Sequence, residues 1–580
     1  MIEGSGRNLT DLADAFLKPS NATHRQYEAL RAYFVGQEPS VEVARRFGYT
    51  PGSFRVLCHE FRKNPHRAFF VSPTSARVSS GRKGVRDRVI ALRKQNFSVY
   101  DIRSALDEPE RLSIAAVSKI LRDEGFARLP RRADDERPSR TRPDAADVAD
   151  ARALDLSERS FRTKVGGLFL FIPYLARIPL DEMLRDVGFP GTNMVPAAHA
   201  VRSLLAMKLF GSARHSHVMS YVFDEGLALF AGLNAIPKRS YLTEYSCRIR
   251  PQIYPAFMRA WFDAVKKLGL RRGSSLDLDF HTIPFHGEDA LIQKHYVSKR
   301  SRRQKGVLAF VAQDADSRVF CYANGDLRKE EQNDEILRFV EFWREGTGRL
   351  PEELVFDSKL TTYGNLNRLN KLGINFITLR RRSDKMLKTL DEIPASAWRQ
   401  VQLRNVTRAF STPTVLDQFI ELRDYEGPIR QLAIRDLGHD KPTILVTNQT
   451  RRTPATLIER YAQRMIIENG IADGIDFFHM DALSSAVAMK VNCDLQLTLM
   501  ASSIYRLLGC ELGEEYARAK SRHIFRDFID ASASVTIDAS AIVVRFQKRA
   551  HNPYLLAAGF DRKRVRIPWL GNRRLQLVFG

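Results

Sequence analysis

The chain has only five cysteines in 580 residues, and none of Cys58, Cys247, Cys321, Cys493 and Cys510 stands in a C-x-x-C pair or beside histidine at zinc-ligand spacing. That argues against a zinc module and fits a reducing cytosol. Long apolar runs are also missing: the longest, Gly167 to Ile172 and on past Pro173, is too short to cross a bilayer, which leaves no call for a membrane. The opening MIEGSGRNLTDLADAF lacks the basic-then-apolar layout of a secretory signal, so a cytoplasmic protein is expected. Acidic residues are in deficit, 67 against 91 Lys plus Arg, a formal charge of +24. A polyanionic partner, nucleic acid first, follows from that excess, the alternative being a soluble basic protein without such a partner. The length allows three or four domains.

The amino-terminal third carries two three-helix patterns. In THRQYEALRAYFVGQEPSVEVARRFGYTPGSFRVLCHEFRK, Ser40 is expected to cap a short helix through Phe47. Gly48 then supplies a left-handed turn, and Thr50 with Pro51 starts a longer helix ending near Arg62. This is a helix-turn-helix layout over residues 20–66, with Ser53, Arg55 and Arg62 on or near the helix offered to the major groove. A second unit is expected over 82–128, with Ser98 and Ser113 as caps and a longer connection, DEPERL. A plain three-helix packing module would share the pattern. Two in tandem on a basic chain favour DNA reading. Residues 129–150, rich in proline and in charge of both signs, read as a linker, and 151–272 as a packed helical segment without evident chemistry.

From Ser274 the stretch SSLDLDFHTIPFHG alternates, with Leu276, Leu278 and Phe280 on one face of a strand and Asp277, Asp279 and His281 on the other. KGVLAFVAQD and SRVFCYAN read as two more strands, Asn333 to Arg344 as an amphipathic helix, and LVFDSKL as a fourth strand ending on Asp357. A helix from Asn365 and a fifth strand, INFITLR, complete the order of a ribonuclease-H-like core over 273–380, in which the first and fourth strands are neighbours. Asp279 and Asp357 would then meet. For Asp357 the competing role is a helix N-cap. Residues 381–441 change to a β-rich insertion, and 442–512 resume the core with the strand PTILVTNQ and a Thr453-capped helix, ATLIERYAQRMIIENG. On that helix Tyr461, Arg464 and Glu468 share a face, a set suited to a metal-bound phosphate, although an ordinary Arg464–Glu468 ion pair would use the same spacing. Residues 513–580 read as a small β unit with a basic tail.

These residues resemble the DDE transposases of bacterial insertion sequences, in the branch with a β insertion and a Tyr-x2-Arg-x3-Glu-x6-Lys motif. The likeness covers Leu276 to Phe285, Leu354 to Arg380 and Ile444 to Leu508. Where the family has lysine, this chain has Ile475. The resemblance implies catalytic carboxylates at Asp279, Asp357 and Glu468, with Asp277 a second candidate for the first position. It implies two Mg²⁺ ions, with Mn²⁺ as a substitute, and strand cleavage and strand transfer on double-stranded DNA at the ends of a mobile element by a homodimer at the bacterial nucleoid. Tyr461, Arg464, Lys299, Arg300, Arg302, Arg303, Arg380 and Arg381 would lie at DNA. The other readings are a catalytically inactive derivative that persists as a DNA-binding regulator, motivated by Ile475, and a structure-selective nuclease without a joining step.

Overall fold

The computed structural model describes residues 22–67, 80–95, 97–106, 112–126, 148–285, 294–297, 302–404, 411–438, 440–480 and 488–580, with positions 16, 18, 19 and 69. Most of the 129–150 segment, together with Lys299 and Arg300, lies outside them. The chain divides into two compact units, residues 1–145 and 146–580.

The first unit holds two small apolar cores. In one, α1 (Ala22–Phe34), α2 (Ser40–Arg46) and α3 (Pro51–Lys63) close over Leu30, Val43, Phe47, Phe54 and Leu57. Thr50 caps α3 by accepting the Ser53 N–H at 3.1 Å, and Gly48 takes the left-handed turn at φ 69°. The expected cap at Ser40 is displaced by one residue: Pro39 stands at the cap position and Ser40 opens the helix, so no side chain caps it. In the other core, α4 (Ser80–Lys94), α5 (Val99–Ala105) and α6 (Ile114–Asp123) close over Val89, Ile102, Val117 and Leu121. Ser98 and Asp101 form a reciprocal capping box on α5, and Ser113 caps α6.

The second unit is mixed α+β with two sheets. Strand β1 (Arg159–Thr163) comes first, which corrects the all-helical reading of 151–272; a five-residue strand within a long helical run offers too little alternation to be recognised. Helices α7 (Leu180–Asp186), α8 (Ala197–Leu209), α9 (Glu225–Ala231), α10 (Arg239–Arg248) and α11 (Tyr254–Lys267) follow. The main sheet is built from β2 (Ser275–Pro284), β3 (Lys294–Val297), β4 (Arg302–Asp314), β5 (Phe320–Leu327), β6 (Glu353–Phe356), β7 (Asn375–Leu379), β8 (Arg399–Gln400), β9 (Thr414–Ile420), β10 (Ile429–Arg435) and β11 (Thr443–Thr447). Its order is β3-β4-β2-β6-β7-β11-β10-β9-β8, with β5 also on β4. β2, β6 and β7 run parallel, and β4 and β5 are antiparallel additions. The strands between 381 and 447 extend the β7 edge of this same sheet by antiparallel pairing, and helix α14, after α12 (Glu335–Thr347) and α13 (Tyr363–Lys371), spans Asp384–Asp391 at the start of the insertion.

Helices α15 (Pro454–Gln463) and α16 (Met465–Asp476) cross one face of the sheet, where Leu457 and Ile458 pack on Val355, Ile377, Leu432 and Leu445. The opposite face joins the large core through Leu276, Leu278, Leu354, Phe356 and Phe376. Helix α17 (Ala488–Glu511) runs through that core and satisfies β5 directly: Gln496 Nε2 donates to the Ala323 carbonyl at 2.9 Å, and Asn492 Oδ1 accepts from Gly325 N at 3.1 Å. The second sheet has the order β1-β12-β13-β15-β14, from β12 (Ala533–Ile537), β13 (Ala541–Phe546), β14 (Arg566–Ile567) and β15 (Arg573–Phe579). No described helix is long and apolar enough to cross a membrane.

The junction between the helices and this second sheet carries an acid sensitivity. Trp569 donates to the Phe230 carbonyl at 3.0 Å and lies 4.6 Å from the Arg202 guanidinium, beside which His199 Nδ1 meets the Ala231 carbonyl at 3.0 Å. Burial, and then the charge of Arg202, push His199 down to about 4. Between there and the ordinary histidine value near 6.5, the unfolded chain binds a proton that the folded chain refuses, so stability falls with falling pH across that window, by about 2–3 kcal/mol. Urea titrations at pH 7 and pH 4.5 are expected to show this drop in the wild type and a drop smaller by about 2 kcal/mol in His199→Gln. Equal drops would refute the assignment.

Candidate active site

Alternation along β2 sends Leu276 and Leu278 into the large core and Asp277 and Asp279 toward α15 and α16. The two aspartates have different fates. Asp277 is 1% exposed, and its Oδ1 meets Arg460 Nη2 at 2.8 Å. Arg460 also binds Glu353 Oε1 through Nε at 2.7 Å and reaches the Ser275 hydroxyl at 2.8 Å. Gln449 at 2.9 Å and Arg452 at 2.8 Å complete the shell of Glu353. Burial pulls the Glu353 carboxyl up, but the Ser275 hydroxyl, Arg460, Gln449 and Arg452 outweigh it and hold the group low. Arg460 thus ties α15 to the first turns of β2 and β6. Neither Arg460 nor Glu353 had been singled out from sequence, because each looks there like an ordinary surface charge.

Asp279 lies two residues further, beyond that network. The parallel register pairs Leu278 with Phe356, so the next step along each strand brings Asp279 beside Asp357. Asp357 ends β6, with its Oδ1 accepting the Ser358 N–H at 2.6 Å. It does not cap a helix: Thr362 takes that role for α13, accepting from Asn365 N at 3.3 Å. Its carboxylate is left for another purpose.

The third acid comes from across the sheet face. The expected single helix is broken at Arg464, where α15 ends and α16 begins with two i−3 hydrogen bonds, Arg464 N to Tyr461 O at 3.1 Å and Ile467 N to Arg464 O at 2.9 Å. The three motif side chains still gather. Arg464 lies 5.7 Å from the Tyr461 ring centre, its Nη1 stands 3.7 Å from Glu468 Oε1, and its Nη2 stands 3.7 Å from Asp279 Oδ2. Glu468 is 57% exposed and Asp279 20%.

Electrostatics register the gathering. Burial pushes Asp279 up to about 6, and Asp357 and Glu468 add to that shift while Arg464 opposes it. Burial also raises the Tyr461 phenol, with the same three carboxylates contributing. Burial works against the charge of Arg464, but Asp279 and its neighbours overcome it and raise that group. Three carboxylates around one buried guanidinium leave the site negative. All-oxygen donors of this kind suit a hard divalent cation in chemistry. Among the described residues, however, no group of three acidic, histidine or cysteine side chains is gathered tightly enough to hold a metal ion. Arg464 stands at the place between Asp279 and Glu468.

The other expected DNA-facing residues are distributed as follows. Arg303 on β4 and Arg381 after β7 are exposed. Arg302 lies on β4. Arg380 is committed in part to the sheet, with Nη1 donating to Gln431 Oε1 at 2.7 Å. On α3, Ser53 and Arg55 are exposed, and Arg62 stacks 5.3 Å over Phe34. Ile475, in place of the motif lysine, is 9% exposed within the large core. A lysine there would have to bury its ammonium, so Ile475→Lys is expected to lower stability by about 2–4 kcal/mol rather than restore a DNA contact. Thermal unfolding measures it, and an unchanged midpoint would overturn this placement.

The family profile described as "Transposase DDE domain" matches residues 271–504, the span that contains Asp279, Asp357 and Glu468. No curated protein matches the chain. A solved structure titled as a piggyBac transposase synaptic complex with hairpin DNA aligns over 64% of this chain and 88% of that one, at 10% identity and a TM-score of 0.32, a likeness too slight to carry an argument. Residues 271–504 of the chain are thus similar to a DDE transposase domain.

Proposed function

We propose that the protein is a sequence-specific transposase that cuts and joins DNA at the ends of its own element, with Asp279, Asp357 and Glu468 as the catalytic acids. The observation that carries this reading is the parallel β2–β6 register, which sets Asp279 beside Asp357 under the helix that bears Arg464 and Glu468. The order β5-β4-β2-β6-β7 supports a ribonuclease-H-like core, and β8 to β10 supply the insertion of the resembling branch. Asp279, rather than the Arg460-bound Asp277, is assigned the first position. Asp279, Asp357 and Glu468 would hold the divalent ions, Mg²⁺ by preference, which supply charge stabilisation and an activated oxygen nucleophile. Arg464 would turn its forked donors from the carboxylates to the phosphate oxygens of the scissile strand, and Tyr461 beneath it fixes that fork in place. Strand cleavage would leave a 3′-hydroxyl that the same site presents to target DNA. Two protomers would pair two ends.

The two three-helix cores of the first unit are assigned as helix-turn-helix modules that recognise those ends, with Ser53 and Arg55 on the exposed side of α3. Deleting residues 1–130 is expected to abolish preference for element ends over random duplex and to leave only weak binding that declines with salt. Preference retained in a competition gel shift would remove the assignment.

A second reading is favoured by two observations: Arg464 stands between the acids, and Ile475, where the resembling motif has lysine, is buried in the apolar core. In that reading the protein binds element ends and regulates without cutting. Incubation with end-containing DNA and Mg²⁺ decides between them. Cleaved and joined products support the transposase, cleavage without joining supports a nuclease, and tight specific binding without products supports the regulator.

A further inference from the structure

A basic site lies along the same side of the sheet as the acids, separated from them by α16. Ile466 of α16 borders a cavity of about 970 Å³, whereas Glu468, two residues on and so roughly 200° around the helix, turns toward Arg464, which in turn faces Asp279. The cavity wall includes Arg271, Arg272, Arg318, Arg506 and Arg518, against the carboxylates of Asp277 and Asp316. Asp277 is already held by Arg460. Among the described residues none of these five arginines stands in an ion pair. Arg318, Arg506 and Arg518 also border an adjoining cavity of about 260 Å³, and so occupy the junction of the two.

Each of the three is placed by its own element. Arg318 sits in the β4–β5 turn at φ 59°, a conformation rare for a side-chain-bearing residue. That turn is stapled by Asp314, whose carboxylate accepts the N–H groups of Gly273, Asp316 and Ser317 at 2.5, 2.9 and 2.8 Å. Arg506 projects from α17 and donates through Nη1 to the Ala517 carbonyl, which sets it against the turn carrying Arg518. Burial pulls the Arg506 charge down, and the charges of Arg318 and Arg518 add to that effect, with Asp473 opposing. Asp473 spends one carboxylate oxygen on the Ser521 N–H at 3.1 Å. Cations that outnumber the carboxylates in a shared concavity are what a polyanion site requires, because forked guanidinium donors fit phosphate oxygens in pairs.

We propose that Arg318, Arg506 and Arg518 form a phosphate-binding site on the far side of α16 from the catalytic acids, taking two or more linked phosphate groups of a free polyphosphate or of a nucleic-acid strand. The site is independent of the carboxylate reading, since it needs neither metal nor Asp357. Calorimetric titration of the full chain with inorganic tripolyphosphate, in EDTA and at about 0.15 M salt, tests it, the Debye length there being about 8 Å. The expected result is saturable binding that weakens at least tenfold in Arg318→Asn with Arg518→Gln. Asparagine tolerates the left-handed backbone at the first position, and Arg518 is exposed, so both changes spare the fold. Arg349→Gln with Arg423→Gln removes the same charge from exposed positions elsewhere and is expected to bind as the wild type does, as is Asp357→Asn. A 5′-phosphorylated single-stranded oligonucleotide then separates the two sources: displacement of tripolyphosphate identifies a strand, and simultaneous binding identifies a free polyphosphate. Failure of the wild type to bind, or equal affinity in the pocket and control variants, would overturn the proposal.

Discussion

Asp357→Asn is expected to reduce metal-dependent cleavage of element-end DNA by about 10³-fold, equivalent to about 4 kcal/mol of transition-state stabilisation. The change is nearly isosteric, and the amide oxygen can still accept the Ser358 N–H that Asp357 Oδ1 accepts at 2.6 Å. Helix α13 loses nothing because Thr362, not Asp357, is its cap. Folding and end binding should therefore survive, with a gel-shift affinity and a melting temperature close to the wild type. The loss would fall on the chemistry alone, since an amide carries no charge to offset a cation beside Asp279. Single-turnover cleavage in Mg²⁺ measures it. Activity within tenfold of the wild type would end the assignment of Asp357, and with it the pairing of first and fourth strands as the source of the site.

The path from sequence to this site was open where the physics is local. A period of two along Leu276 to Phe280 is enough to put Asp279 opposite the core, and the run LVFD is enough to leave Asp357 at a strand end. Spacings of three and four brought Tyr461, Arg464 and Glu468 together even though the helix breaks at Arg464, because a single tightened turn alters the direction of the axis more than the neighbourhood of the side chains. What sequence could not supply depends on distant partners. Asp277 and Asp279 are equivalent in the strand pattern, and only Arg460, on a helix nearly two hundred residues later, makes one a buried ion pair and leaves the other at the site. Strand β1 was invisible for a similar reason: five residues acquire their strand identity from pairing with β12, which lies at the other end of the second unit.

Loss of Arg460 is the most damaging single change expected for stability. Its guanidinium contacts two buried carboxylates, Asp277 at 2.8 Å and Glu353 at 2.7 Å. Arg460→Met would retain much of the side chain's volume and leave Asp277 without its cation, while Glu353 would keep only Arg452, Gln449 and Ser275. Removing one partner of a buried pair typically costs about 3–5 kcal/mol, because the uncompensated charge must either stay dry or take up a proton. Two such carboxylates place the expected loss at the upper part of that range. The mechanism also makes a distinctive demand: with Arg460 absent, neutral carboxyls should be better than charged ones. Arg460→Met combined with Asp277→Asn is thus expected to recover about 2 kcal/mol relative to Arg460→Met alone, whereas Asp277→Asn in the wild-type background should destabilise. Chemical denaturation of the four proteins closes that cycle. Additive losses would mean that Arg460 holds α15 by packing rather than by charge. A coupled result would identify the dry ion network at the base of β2 and β6 as the anchor that sets the height of α15, and through the turn at Arg464 the reach of Glu468 toward Asp279.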